Sequence, residues 1–139
     1  MIKQLTIFAE NTRGAMHAIT EVISGAGVDI DAVVTNDSAE YGIVRSILSD
    51  PEKAYDALTA KGYICKLNTV VAVEIHDEIG GLNSLLADID AMNVNVNYLY
   101  VTYDRARTVP IVIINTNSGL ELEMALRTKG YEVKNAPQK

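Results

Sequence analysis

Cysteine occurs once and histidine twice in this 139-residue chain, and 12 basic residues face 18 acidic ones. The lone Cys65 excludes an internal disulfide framework and any all-thiolate metal site, and it reads as a small apolar strand residue. A net charge of -6 and a pI near 4.8 withhold the clustered Lys and Arg that a phosphate backbone requires, so nucleic acid is not an expected partner. No stretch approaches the roughly 18 apolar residues of a membrane span. Met1-Ile2-Lys3-Gln4 opens directly into alternating sequence, without a basic segment followed by an apolar one. Neither a signal peptide nor a membrane partner is expected, and the expected location is cytoplasmic. What is present is a globular composition, 48% hydrophobic and 22% charged. That excludes wholesale disorder and leaves either one ordinary domain or two small ones.

An internal repeat decides between them. Gly14-Ala15-Met16, followed by Ile19, Ile23, Val28 and Ile30, recurs 66 residues later as Gly80-Gly81-Leu82, Leu85, Ile89, Val94 and Val96. Leu58 and Gly62-Tyr63 recur as Leu126 and Gly130-Tyr131, now offset by 68, which places a short insertion in the middle of the second copy. Residues 1–67 and 68–139 each hold 6 basic and 9 acidic residues. Two domains, 1–67 and 68–139, are the simplest account.

Each copy carries the same series of signals. Leu5, Ile7 and Ala9 alternate as in a strand. Met16, Ile19, Val22, Ile23 and Ala26 recur at helical spacing, and Gly27 stands where a C-terminal cap glycine belongs. Val28 to Val34 alternate as a second strand, Asn36-Asp37-Ser38 is turn chemistry, and Ile43 to Leu48 is a third strand. Asp50 and Pro51 announce a second helix with Ala54, Leu58 and Tyr55 inward, ended by Gly62. Tyr63-Ile64-Cys65 begins a fourth strand. The second copy gives 70–75, 80–92, 94–102, 109–115, 118–129 and 131–133, with Pro110 confined to a strand start or a bulge. Asn68 and its neighbours separate the copies, and the tail from Asn135 to Lys139 is expected to fray. The fold expected is α+β: two tandem ferredoxin-like βαββαβ domains, antiparallel sheets with helices on one face.

Asn11-Thr12-Arg13-Gly14-Ala15-Met16, then Ile19 and Gly25-Ala26-Gly27-Val28-Asp29-Ile30, resembles the pattern of ACT domains. Asp77-Glu78-Ile79-Gly80-Gly81-Leu82, Leu85 and Asn93-Val94-Asn95-Val96 repeats it. Asn93 replaces Gly27, which is tolerable because Asn also visits left-handed backbone. Arg13 and Ile79 stand where many members carry Pro. The resemblance implies a small-molecule binding regulatory protein, with a free amino acid held between ACT domains and its occupancy read by a partner protein. Binding residues implied are Asn11, Thr12, Arg13, Gly14, Ala15 and Met16 with Val28 and Ile30. In the second copy they are Asp77, Glu78, Ile79, Gly80, Gly81 and Leu82 with Val94 and Val96. The chemistry agrees: a helix entered through glycine offers unpaired amides to a carboxylate, Asn11 both donates and accepts, and an ionised Asp77 favours an ammonium. The loops differ, so their sites need not be equivalent.

Other features carry less. His17 is expected at a solvated rim. His76-Asp77-Glu78 diverge as consecutive strand-end residues and find no second cluster, so no metal is expected. Tyr98 and Tyr100 share a strand face with Val94 and Val96 and read as packing. Tyr103, Arg105 and Arg107 lack the basic groove of a single-strand binder. No nucleophile, catalytic residue or cofactor is indicated, so the chain reads as no enzyme. Phe8, Val33, Val44, Leu99 and Val101 are expected on a strand face that the helices leave open, implying a homodimer or larger assembly. The two copies consume the length, so a separate regulated metabolic enzyme is the expected reader. An oligomerisation module without ligand and a small hydrolase of acylphosphatase type remain open.

Overall fold

The computed structural model describes residues 1–37 and 41–135, without the side chains of Asp37 and Tyr41. The Ser38 end of the expected turn and residues 136–139 of the tail lie outside the described residues. The chain divides into two compact units, Lys3–Asn68 and Thr69–Lys139 with Met1–Ile2.

The first unit contains β1 (Ile2–Glu10) from Lys3 onward, α1 (Ala15–Gly25), β2 (Ile30–Asp37), β3 (Tyr41–Leu48), α2 (Pro51–Ala60) and the first residues of β4 (Ile64–Glu74). Its sheet runs β2-β3-β1-β4. In the ladder Leu5 faces Ser46 and Ile7 faces Val44. Leu5 and Ile7, two apart on a strand, and Ile19 and Ile23, four apart on a helix, meet in one core with Val28, Val44, Leu48, Ala54 and Leu58. Period two and period 3.6 thus present their apolar stripes to the same side. Burying each such side chain contributes roughly 1.5–3 kcal/mol. Asp50 caps α2 by accepting from the Lys53 amide at 3.2 Å, and Pro51 stands in the first turn, where no intrahelical amide is lost.

The second unit uses the rest of β4, α3 (Gly81–Ala91), β5 (Tyr98–Asp104), β6 (Val109–Asn115) and α4 (Gly119–Thr128). Val71, Val73, Leu85, Ile89, Val112, Ile114, Leu122, Leu126 and Val133 form its core. The expected last strand reduces to a bridge between Val73 and Val133. The Glu74 amide donates to the Glu132 carbonyl at 2.9 Å, and the Lys134 amide to that of Ala72 at 2.8 Å. The architecture is α+β, two tandem ferredoxin-like domains with helices packed on one face of each sheet.

Several expectations change. The strands expected on either side of Asn68 are one continuous β4. β2 begins at Ile30, not Val28, and continues through Asn36 and Asp37, where a turn was expected. β5 begins at Tyr98, not Val94. The alternation over 94–97 reflects burial rather than a ladder: Val94 and Val96 pack against the second core, and local bonds hold the backbone. The Thr116 hydroxyl donates to the Asn95 carbonyl at 2.7 Å, and the Asn97 amide to that of Asn115 at 2.9 Å. Tyr98 and Tyr100 face Asn115 and Ile113, whereas Leu99 faces Ile114 of the core. They therefore do not share a face with Val94 and Val96. Val44 belongs to the first core and Leu99 packs against the second, so neither lies on an open face. Thr35 faces Val44 and Val101 faces Val112. The second hairpin is thus two residues longer, and the insertion sits there.

Asn68 changes role most. Gln4 and Thr6 are buried opposite Leu5 and Ile7 on β1. The Asn68 Oδ1 accepts from Gln4 Nε2 at 3.4 Å and from the Thr6 hydroxyl at 3.3 Å. Removing an acceptor from buried donors costs more than the bond itself contributes, about 1–3 kcal/mol. Asn68→Ala is expected to lose that much in urea denaturation while exposed Asn95→Ala loses less than about 0.5 kcal/mol.

Candidate functional site

Both central strands turn into a helix in the same way. Gly14 precedes α1 with φ +82°, and Gly80 precedes α3 with φ +86°; neither helix has a side-chain cap. The turn bonds repeat one for one. Thr12 donates to the Glu10 carbonyl and Glu78 to that of His76, both at 2.9 Å. Ala15 donates to the Thr12 carbonyl at 3.2 Å and Gly81 to that of Glu78 at 3.1 Å. Left-handed backbone costs an ordinary L-residue about 1 kcal/mol or more, which is why glycine stands at both positions. At the far end of each first helix Gly27 has φ +75° and Asn93 φ +62°, so the Asn replacement keeps the left-handed turn.

The first loop opens onto a cavity of about 310 Å³. Asn11, Thr12, Gly14, Ala15 and Met16 line it together with Ala9, Glu10 and His17; Thr35, Asn36, Gly42 and Val44 supply the opposite wall from the β2–β3 hairpin. Arg13 is exposed and is not part of this lining. Val28 and Ile30 line a separate open hollow, about 520 Å³, beside α1 with His17, Thr20, Glu21, Ser24 and Asp29. The implied residues of the first copy therefore divide between two hollows, and His17 is common to both. Its imidazole Nε2 lies 3.8 Å from a Glu21 carboxylate oxygen and is largely exposed. Sequence reasoning placed His17 at a rim and missed the hairpin wall. The turn chemistry of Asn36 was visible, but its place opposite Asn11 depends on strand register.

The second loop is built differently around the same turn. Asp77, Glu78, Ile79 and Gly80 are exposed, Ile79 completely. Leu82, Val94 and Val96 pack against the second core. Asp77 is engaged: the Tyr103 hydroxyl donates to its Oδ2 at 3.0 Å. That bond, and secondarily burial, raises the Tyr103 phenol above its ordinary range. Gly81 is also tighter than Ala15, because a β-carbon there would stand 2.4 Å from the His76 carbonyl oxygen. Among the described residues no cluster of three or more His, Cys, Asp and Glu is placed to hold a metal ion. None of their helices is long and apolar enough to cross a membrane. Burial raises the Cys65 thiol, which disfavours the thiolate.

Because the obstructing atom at Gly81 is backbone, Gly81→Ala must shift the loop. Its expected cost is about 1–3 kcal/mol, as for overpacking, read as a lower midpoint in urea. Ala15→Gly at the equivalent position is expected to cost at most about 1 kcal/mol, the propensity difference of a helix position.

Residues 1–129 match the family described as the ACT domain pair. A Bacteroides thetaiotaomicron protein of known crystal structure aligns with TM-score 0.88 and 29% identity over 96% of this chain and 91% of that one. The regulatory subunit of aspartate kinase from Thermus thermophilus, in its ligand-free form, aligns with TM-score 0.64 and 11% identity over 92% of each chain. That of Thermus flavus gives TM-score 0.62 and 14% identity over 91% of this chain and 90% of that one. No curated protein matches. A repeated loop-to-helix turn, the order βαββα found twice and a match over residues 1–129 lead to one conclusion: the chain belongs to the ACT domain pair family.

Proposed function

We propose that the chain is a regulatory protein without catalytic activity that binds a free amino acid at the first loop. Occupancy passes to a partner as a change of conformation or assembly. The observation that carries the reading is the cavity joining the Asn11–Met16 loop to the first turn of α1. Its volume of about 310 Å³ lies at the lower end of small-molecule sites, the size range of one amino acid. The first-turn amides of α1 and the positive end of its dipole suit the α-carboxylate. The Asn11 carbonyl and the Glu10 carboxylate suit the α-ammonium.

Ala9, Met16 and Val44 give the cavity an apolar part, so a short apolar side chain fits best. The dipole supplies roughly 0.3–1 kcal/mol. Burial of a valine-sized side chain adds roughly 1.5–3 kcal/mol. Micromolar to millimolar affinity needs about 4–8 kcal/mol, so carboxylate, ammonium and side-chain contacts must all contribute.

Two of the similar structures are regulatory subunits of aspartate kinase, which supports a regulatory role with a metabolic enzyme as reader. A ligand shifts such an equilibrium only by its differential affinity for the two states. Association into a homodimer is part of the reading, because helices cover one face of each sheet and the other needs a partner. A cytoplasmic location accords with the single unpaired cysteine.

Calorimetric titration with each of the twenty amino acids tests the reading. Heat is expected with one or a few apolar amino acids, and Asn11→Ala is expected to weaken binding about tenfold, one hydrogen bond's worth of 1–1.5 kcal/mol. A flat response to all twenty would leave the oligomerisation module as the better reading.

A further inference from the structure

We propose that the second loop is occupied by the chain's own Tyr103, so that each chain offers one working amino-acid site, at the first loop. The identity of what the first loop takes rests on the reading above; the closure of the second stands on its own geometry. Asp77 stands where Asn11 stands in the first copy, in a turn with the same backbone bonds. Its Oδ2 accepts from the Tyr103 hydroxyl at 3.0 Å. A ligand ammonium arriving at Asp77 meets a carboxylate that already accepts a charge-assisted hydrogen bond from the chain at Oδ2.

Register accounts for the place of Tyr103 in the second copy. Thr35 faces Val44 as Val101 faces Val112. Two residues beyond Val101 is Tyr103; two residues beyond Thr35 is Asp37, which carries no phenol. The start of α3 is also drawn in at Gly81, where a β-carbon would stand 2.4 Å from the His76 carbonyl oxygen. The first copy carries a β-carbon there, in Ala15. The same turn is therefore left open beside a cavity in one copy and fastened in the other.

Calorimetry on the full chain, with L-valine and L-leucine as probes, tests the proposal. One site per chain is expected for the unaltered protein and two for Tyr103→Phe, which keeps the ring and removes the hydroxyl. Two sites in the unaltered protein, or one in Tyr103→Phe, would overturn it. If neither probe binds either protein, the amino-acid reading fails separately, and phenol absorbance against pH then tests the fastening. The difference between the unaltered protein and Tyr103→Phe isolates one tyrosine. Its ionisation is expected above the ordinary tyrosine range and lower in Asp77→Asn, where the acceptor loses its charge. An unchanged ionisation in Asp77→Asn would overturn the fastening.

Discussion

A central strand that becomes a helix within four to six residues needs one backbone position that ordinary side chains avoid. Gly14 and Gly80 supply it at φ +82° and +86°, and most else in each unit depends on that constraint. The turn fixes the angle at which the first helix returns over the sheet. Ile19 and Ile23 then land on Leu5 and Ile7, as Leu85 and Ile89 land on Val71 and Val73. It also places the helix start at the end of the strand without a side-chain cap, so that beyond Ala15 and Gly81, whose amides bond within the turn, the first-turn donors have no cap to satisfy them. The same glycine thus serves both the core packing and the proposed site.

With the turn held constant, its surroundings decide what each copy does. The first turn looks across at Thr35 and Asn36 and keeps a cavity. The second sits in a unit whose hairpin is longer by one residue on each strand, and the Tyr103 hydroxyl bonds Asp77. The substitutions that separate the copies are small: Asn11 against Asp77, Ala15 against Gly81. Their effects are large because a carboxylate accepts a phenol that an exposed turn otherwise leaves to water, and a missing β-carbon lets the chain close up. Repetition of a fold does not carry repetition of a site.

The sequence made the frame legible where local chemistry dictates structure. The four-residue spacing of Ile19 and Ile23, the Asp50-Pro51 start of α2 and the left-handed Asn93 were each visible without coordinates. The limits are equally physical. Alternation over Val94 to Asn97 records which side chains are covered, and burial alternates whether or not the backbone joins a ladder. Val44 looked like an outward residue because every residue of Ile43 to Leu48 but Arg45 and Ser46 is apolar, and only register assigns a face. Asn68 looked like a linker since nothing local shows that Gln4 and Thr6 are buried and need its carbonyl. The cavity wall and the Tyr103–Asp77 bond join residues 18 or more positions apart, beyond the reach of spacing rules.

The central claim is that one turn binds and its copy does not. Backbone amide correlation spectra of the full chain, recorded while L-valine is added, test it most directly. The account predicts that the amides of residues 11–17 and those of Thr35 and Asn36 move with added ligand while those of residues 77–82 stay in place. Equal movement at both loops, or movement at 77–82 alone, would contradict it.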